Sequence, residues 1–452
     1  MRKDTLTAEF IAEKTGGRIV RNGNGTVHGF CIDSRNIESG NLFAAIKGEK
    51  TDGHNYIVKA LENGAGGILC SELPEEAKKT EGSWFAVECG DVQRALGVLA
   101  GAYLDRFDIT KVGVTGSVGK TTTRALISCV LNEKFSVLST SGNFNNELGV
   151  PITVSGVTDE TEVGVFEMGT GVPGDIGYLA DIVRPDIAVI TNIGTCHIEF
   201  FGTREKIRDE KLDIGRNFGE NGIYILNGDE PLLEGRGGVY CGIRNEKSDY
   251  FAENIRLTEN GTRFDIKGRA KDVFVPAYGS HIVLDALYAF AAGEKCGMNA
   301  EEIKRGIAVY APVGNRQKIE EKDGVRYILD FYNASPESIA ASSEVCGKLA
   351  GGRSILVIGS VLELGDKSEE LHRGIWKKIK PYCDVLVCFG KDAGFIADEA
   401  VKDGFGDNVF VFEDISKPDL PAALLKDMIK TGDCLLFKAS HGIDIGRIYG
   451  LL

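Results

Sequence analysis

Thr115-Gly116-Ser117-Val118-Gly119-Lys120-Thr121-Thr122 is the segment of this chain best equipped for chemistry, and that chemistry is the holding of a polyphosphate. It follows the apolar run Lys111-Val112-Gly113-Val114 and precedes a second apolar stretch at 125–131, so strand, glycine-rich turn and helix are predicted in that order. Glycines let backbone N–H groups close around phosphate oxygens, and a helix N-terminus adds partial positive charge. Lys120 would reach the terminal phosphates and the Thr121 hydroxyl would ligate Mg²⁺, with Gly116, Ser117, Val118, Gly119 and Thr122 completing the turn. The strict eight-residue pattern is not met, because Val114 stands where its first glycine belongs. Gly-Lys-Thr between strand and helix still favours nucleotide binding over a structural turn.

Further candidates fall at or near the ends of predicted central strands, where open α/β sheets place their ligands. Glu167 follows the apolar run 163–166, and His197 follows Thr191-Asn192-Ile193-Gly194-Thr195-Cys196. Asn143, Asn145 and Asn146 lie in a Gly- and Pro-punctuated stretch, 141–151. Taken alone, each has a bland reading as a solvated acid, a packing imidazole or turn amides. Downstream of a phosphate loop in one sheet, they form a metal-and-substrate rim.

The elements that must position these residues fall into three blocks. Residues 1–107 read as a small α/β unit, with Thr7 capping a helix that stops at Gly16-Gly17 and a strand at 67–70. Residues 108–312 alternate strands and helices, and the apolar runs 163–166, 187–190 and 223–226 are short and uninterrupted, as parallel strands covered on both faces require. Residues 313–452 repeat the theme with runs at 327–329, 355–358, 385–388, 409–412 and 435–437. The predicted class is α/β: a small N-terminal domain, a central phosphate-loop domain on a doubly wound, mostly parallel sheet, and a Rossmann-like doubly wound C-terminal domain.

Composition sets the outer bounds. A chain of 452 residues exceeds one core and fits domains of about 100–200 residues. The 43% hydrophobic and 26% charged fractions describe a globular protein. A net charge of −14 argues against nucleic acid or an anionic membrane as partner. Eleven cysteines without a C-x-x-C pair suit reduced thiols. The first ten residues carry acids and no apolar core, and no stretch approaches the roughly 20 apolar residues of a membrane span. A cytoplasmic protein is expected.

On these and further residues the sequence resembles the Mur ligase family, the ATP-dependent amide-forming ligases of peptidoglycan precursor synthesis. The markers are Asp33-Ser34-Arg35, Phe43 with Lys47-Gly48 and His54, the 116–122 loop, the 143–151 segment and Glu167-Met168-Gly169. They continue with the stretch 197–211, Asp330 to Pro336, Glu363-Leu364-Gly365 with His372, and Lys438-Ala439-Ser440. Each is weak alone; their order and spacing are specific.

The resemblance implies a two-step reaction. A substrate carboxylate attacks the γ-phosphate of ATP, and an incoming amine then captures the acyl phosphate. The implied substrates are UDP-N-acetylmuramoyl-tripeptide and D-alanyl-D-alanine, and the implied state is a monomer. One Mg²⁺ would sit between Thr121 and Glu167, and a second would be held by His197 and a carbamylated Lys211. A carbamate is physically reasonable there, because a lysine ammonium repels Mg²⁺ and an anionic oxygen attracts it. The N-terminal domain would hold the UDP-sugar through Ser34, Arg35 and Lys47. The third domain would close over ATP with Arg316, Asp330 and Tyr332, leaving Asn333 and Lys438 near the incoming dipeptide. No enzyme nucleophile is needed, so Cys196 is not expected to act as one.

The match departs from the family pattern around His281, where Ile282 and Asp285 stand in place of adenine-pocket amides, and at His441, in place of an arginine. These departures leave open a related ligase with another acceptor, or a nucleotide-binding relative that no longer catalyses.

Overall fold

The structure, a computed structural model, describes residues 4–23, 25–48 and 50–452. Residues 1–3, the start of the acid-bearing N-terminal stretch, lie outside the described residues. Among the described residues, three sheets of five, nine and six strands succeed one another along the chain.

The N-terminal sheet runs in the order Arg18–Arg21, Phe85–Glu88, Gly67–Cys70, Leu42–Ala44, Phe30–Cys31, antiparallel at the first pairing and parallel thereafter. Its first helix, Ala8–Thr15, begins where the Thr7 hydroxyl accepts from Phe10 N and ends on Gly16 at φ 66.

The central sheet carries the site. From its mixed edge inward the order is Ala270–Val275, Gly261–Ile266, Tyr250–Thr258, Val239–Gly242, Ile223–Asn227, Ile187–Ile190, Thr110–Thr115, Val163–Glu167, Val137–Ser139. Every pairing from Tyr250–Thr258 onward is parallel, and the two hairpin pairings beyond it are antiparallel. The Ile187–Ile190 and Val163–Glu167 strands are buried throughout. Helices on both faces exclude water from them, so hydrophobic burial and not alternation shapes their sequence. The strand Thr110–Thr115 is flanked by Val163–Glu167 on one side and Ile187–Ile190 on the other. Strand order reverses there, and the loops leaving the carboxyl ends part to opposite faces and open a crevice.

In the C-terminal sheet the order is Lys318–Lys322, Val325–Leu329, Cys434–Lys438, Ser354–Gly359, Val385–Phe389, Val409–Phe412, with only the first pairing antiparallel. A helix and a turn beside this sheet meet the central domain: Thr195 Oγ1 donates to Glu337 Oε1 at 3.1 Å, and Lys367 Nζ donates to Gly202 O at 2.7 Å. All eleven cysteines are free, and among the described residues no helix is long and apolar enough to cross a membrane.

Candidate active site

A cleft of about 1000 Å³ opens at the crevice, walled by the central and C-terminal domains. Its floor is the 116–122 loop. Gly116 takes φ 152, and a Cβ there would lie 1.8 Å from Thr191 Oγ1, so the close approach of two strand ends requires glycine. Gly119, at φ 86, turns the chain into the helix Lys120–Leu131. The loop is shaped from the neighbouring strand end. Asn192 Oδ1 accepts from Ser117 N at 3.0 Å and from Val118 N at 2.9 Å, while the Thr191 hydroxyl donates to Val118 O at 2.5 Å. Lys120 is half-buried and its Nζ donates to Gly116 O at 2.8 Å, which folds the ammonium back over the loop. Burial lowers its pKa, with Glu167 opposing.

Glu167 ends the strand Val163–Glu167 and is 1% exposed. Its Oε1 accepts from Thr121 Oγ1 at 3.0 Å and from Asn145 Nδ2 at 2.8 Å. Its Oε2 is buried without a hydrogen bond, and so is Nε of Arg124, which lies 3.7 Å from it. That oxygen makes no hydrogen bond and has the Arg124 guanidinium as its ion-pair partner, so the carboxylate is charged and enclosed at the foot of the loop. A hydroxyl and a carboxylate are the hard oxygen donors that a small divalent cation takes, so this pair fits such an ion.

His197 opens the short helix Ile198–Phe201 with φ 60, and its Nδ1 lies 2.6 Å from Glu363 Oε2 of the C-terminal domain. Burial lowers the imidazole pKa, Glu363 raises it, and Lys120 and Lys211 lower it further. Lys211, in the last turn of the helix Arg204–Leu212, is 2% exposed. Burial first and Lys120 second bring its pKa down to about 7. The adjacent acid, Glu210, is occupied in accepting from Gly174 N and Ile176 N, each at 2.8 Å, and so caps another helix. Among the described residues no group of three or more His, Cys, Asp or Glu is placed to hold a metal ion.

The opposite wall comes from the C-terminal domain. Asp330 follows the strand Val325–Leu329, and Lys438 ends the adjacent strand Cys434–Lys438, so register makes them neighbours. Lys438 Nζ donates to Asp330 Oδ2 at 2.7 Å and to Asn333 O at 3.2 Å. Ser342 Oγ donates to the same Asp330 oxygen at 2.5 Å, and Gln317 N donates to Oδ1 at 3.2 Å. Burial opposes ionisation of Asp330, yet Lys438 and these hydrogen bonds hold its carboxyl below the usual range. The Arg316 guanidinium lies 3.9 Å from the centroid of the Tyr332 ring. His281 faces Gln317 Nε2 at 3.2 Å, and its own Nδ1 is buried without a partner.

Lys120, Thr121, Thr122, Asn145, Asn146, Glu167, His197, His281, Arg316, Asp330, Tyr332, Asn333 and Lys438 all line this one cleft. Lys211 is enclosed beside it. Asn143 is exposed, and its carbonyl accepts from Asn145 N at 2.8 Å. Ser34, Arg35 and Lys47 do not line the cleft: Ser34 is buried in the N-terminal domain, Arg35 is exposed and paired with Asp33 at 2.6 Å, and Lys47 is exposed. Sequence reasoning missed Asn192, Arg124, Glu337 and, as a partner of His197, Glu363. A guanidinium one helical turn after Lys120 was the available signal for Arg124; Glu337 had none and Glu363 only its place in the Glu363-Leu364-Gly365 marker, because domain docking alone brings the two glutamates in.

Residues 26–103 match the description "Mur ligase family, catalytic domain", 114–293 the Mur ligase middle domain, and 315–441 the "Mur ligase, glutamate ligase domain". The UDP-N-acetylmuramoyl-tripeptide–D-alanyl-D-alanine ligase of Bacillus subtilis is 37% identical over 429 residues, 93% of this chain and 92% of its own. The chain belongs to the Mur ligase family. Solved MurF structures superpose on it along nearly their whole length. MurF from Acinetobacter baumannii gives a TM-score of 0.88 at 26% identity, covering 99% of this chain and 98% of that one. MurF from Thermotoga maritima, solved in complex with ADP, gives 0.81 at 30% identity, covering 94% and 97%.

Proposed function

We propose that this Mur ligase joins D-alanyl-D-alanine to UDP-N-acetylmuramoyl-tripeptide at the expense of ATP, releasing ADP and phosphate in peptidoglycan precursor synthesis. The observation that carries the reading is the buried Glu167 carboxylate, held beside the Thr121 hydroxyl at the foot of a phosphate loop and facing a second domain. The B. subtilis relative, similar over nearly the whole chain, supports the choice of substrates.

A carboxylate is a poor acyl donor because its oxygen is a bad leaving group, so activation precedes amide formation. The tripeptide carboxylate attacks the γ-phosphate to give an acyl phosphate and ADP. The dipeptide amine then attacks the carbonyl, and phosphate leaves from the tetrahedral intermediate. The loop N–H groups and Lys120 align the phosphates and offset their charge, which is most of what phosphoryl transfer requires. Thr121 and Glu167 would hold one Mg²⁺, and His197 with a carbamylated Lys211 a second; such ions neutralise charge gathering on the transferred group. With a pKa of about 7, much of the Lys211 amine is neutral near pH 7 and able to add CO₂ with loss of a proton. Arg316 and Tyr332 face the phosphate and ribose side, Asn333 and Lys438 the incoming dipeptide, and Asp330 fixes the Lys438 ammonium. Residues 1–107 hold the UDP-sugar through Ser34, Arg35 and Lys47, 108–312 bind ATP, and 313–452 close the cleft and shield the acyl phosphate from water. Both walls of the cleft come from one chain, consistent with a working monomer, and eleven free thiols suit the cytoplasm.

A panel of UDP-muramoyl peptides crossed with amine acceptors, read by phosphate release, tests the proposal. Release should require both UDP-muramoyl-tripeptide and the D-alanyl dipeptide. Turnover with the peptide alone to a stable phosphorylated product, or none with any pair, would overturn it.

A further inference from the structure

We propose that Glu363 is a positioning residue for His197, delivered by the C-terminal domain, so that docking of that domain completes the histidine side of the site. This rests on the reading of His197 as a cation ligand. Glu363 Oε2 lies 2.6 Å from His197 Nδ1. An ionised carboxylate only accepts, so Nδ1 carries the proton and the Nε2 lone pair is left for a cation. A ligating imidazole anchored in this way through its other nitrogen is held in both tautomer and orientation.

The backbone points the same way. His197 at φ 60 and Glu363 at φ 61 both occupy the left-handed region, although neither is glycine. Such conformations persist where surrounding contacts over-determine them, and they gather at functional sites. The loop presenting Glu363 is pinned from within its own domain. Val361 N donates to Nε2 of the fully buried His372 at 3.0 Å, and Leu362 N donates to Ser440 Oγ at 2.9 Å. It is also seated on the central domain: Lys367 Nζ reaches Gly202 O at 2.7 Å, and a Cβ on Gly365 would lie 3.0 Å from Glu199 Cγ. The Glu363 side chain is 52% exposed, so the pair adds little as a stabilising bridge. Its geometry suits orientation better.

The test uses the full-length, metal-free protein labelled with ¹⁵N at its six histidines, as wild type, Glu363→Ala and Glu363→Gln, with His197→Gln to assign the signal. Long-range ¹H–¹⁵N spectra read the tautomer directly. The wild type should show the Nδ1–H form at His197, Glu363→Ala should lose that bias, and Glu363→Gln, whose amide oxygen still accepts, should keep it. Mn²⁺ binding in the presence of a non-hydrolysable ATP analogue, followed by electron paramagnetic resonance, should weaken about 10–100-fold in Glu363→Ala and recover in Glu363→Gln. Thermal melts confirm that each variant is folded. An unchanged His197 tautomer in Glu363→Ala, or equal Mn²⁺ affinity, overturns the proposal. If instead the ligase reading is wrong, the wild type will release no phosphate while the tautomer still responds to Glu363.

Discussion

Replacing Lys211 with Met should stabilise the protein while abolishing turnover, and the size of the gain follows from burial. Burial first, then Lys120, lowers the ammonium pKa from 10.5 to about 7. A base with a depressed folded pKa binds fewer protons folded than unfolded. The resulting loss of stability is complete below pH 7 and is recovered as pH rises from 7 to 10.5. At neutral pH this amounts to about 4 kcal/mol, and near pH 10 to less than about 1 kcal/mol. Met fills the space of the lysine stem with no charge to desolvate. For a unit of about 200 residues each kcal/mol moves the melting temperature by about 2–4 °C, so Lys211→Met should raise the central-domain transition by about 8–16 °C at pH 7. Scanning calorimetry in CO₂-depleted, metal-free buffer measures it without interference from a carbamate. Phosphate release with both substrates should fall by about 100-fold or more. A variant no more stable than wild type at pH 7, or a gain that persists undiminished at pH 10, would refute the reasoning.

Asp285 should show the opposite pH dependence. Burial raises its pKa from 3.8 to about 7, so the folded state binds the extra proton and stability falls as pH rises across that window. Asp285→Asn keeps an acceptor for the Thr123 hydroxyl and should gain about 2–3 kcal/mol more at pH 8 than at pH 5 in urea unfolding; equal gains would contradict this. Gly116→Ala puts a methyl 1.8 Å from Thr191 Oγ1 at a φ of 152, and calorimetric titration should find ADP binding weakened about 100-fold or lost. Asp330→Ala strands the Lys438 ammonium, 3% exposed, and should cost about 3–5 kcal/mol by denaturant titration.

What the sequence made legible follows from how locally each feature is encoded. The phosphate loop was readable despite Val114, because Gly116 and Gly119 answer to backbone geometry within the loop itself. The parallel strands were readable because burial on both faces leaves uninterrupted apolar runs. The antiparallel strands between Tyr250 and Val275 were not anticipated, and Tyr250–Thr258 shows why: burial lapses along it into four consecutive exposed residues, Ile255 and Leu257 among them, so polarity along the strand does not track burial. Glu167 and His197 were legible as strand-end residues. Asn192, five residues before His197, was passed over because an amide after a strand reads as turn chemistry, whereas here its oxygen takes two loop N–H groups. Glu337 followed from no local pattern and Glu363 was visible only as part of a family marker, since the partners of both lie in another domain. Lys211 illustrates the limit from the other side: its flanking charges suggest a solvated helix surface, and only tertiary packing encloses it.

In the proposed reaction, bound triphosphate activates a substrate carboxylate through an acyl phosphate. This is tested most directly by labelling the terminal carboxylate of UDP-muramoyl-tripeptide with ¹⁸O and analysing the released phosphate by mass spectrometry. Attack by that carboxylate and later departure of phosphate transfer one labelled oxygen per turnover, so phosphate carrying a single ¹⁸O is the expected result. Amide product accompanied by unlabelled phosphate would contradict it.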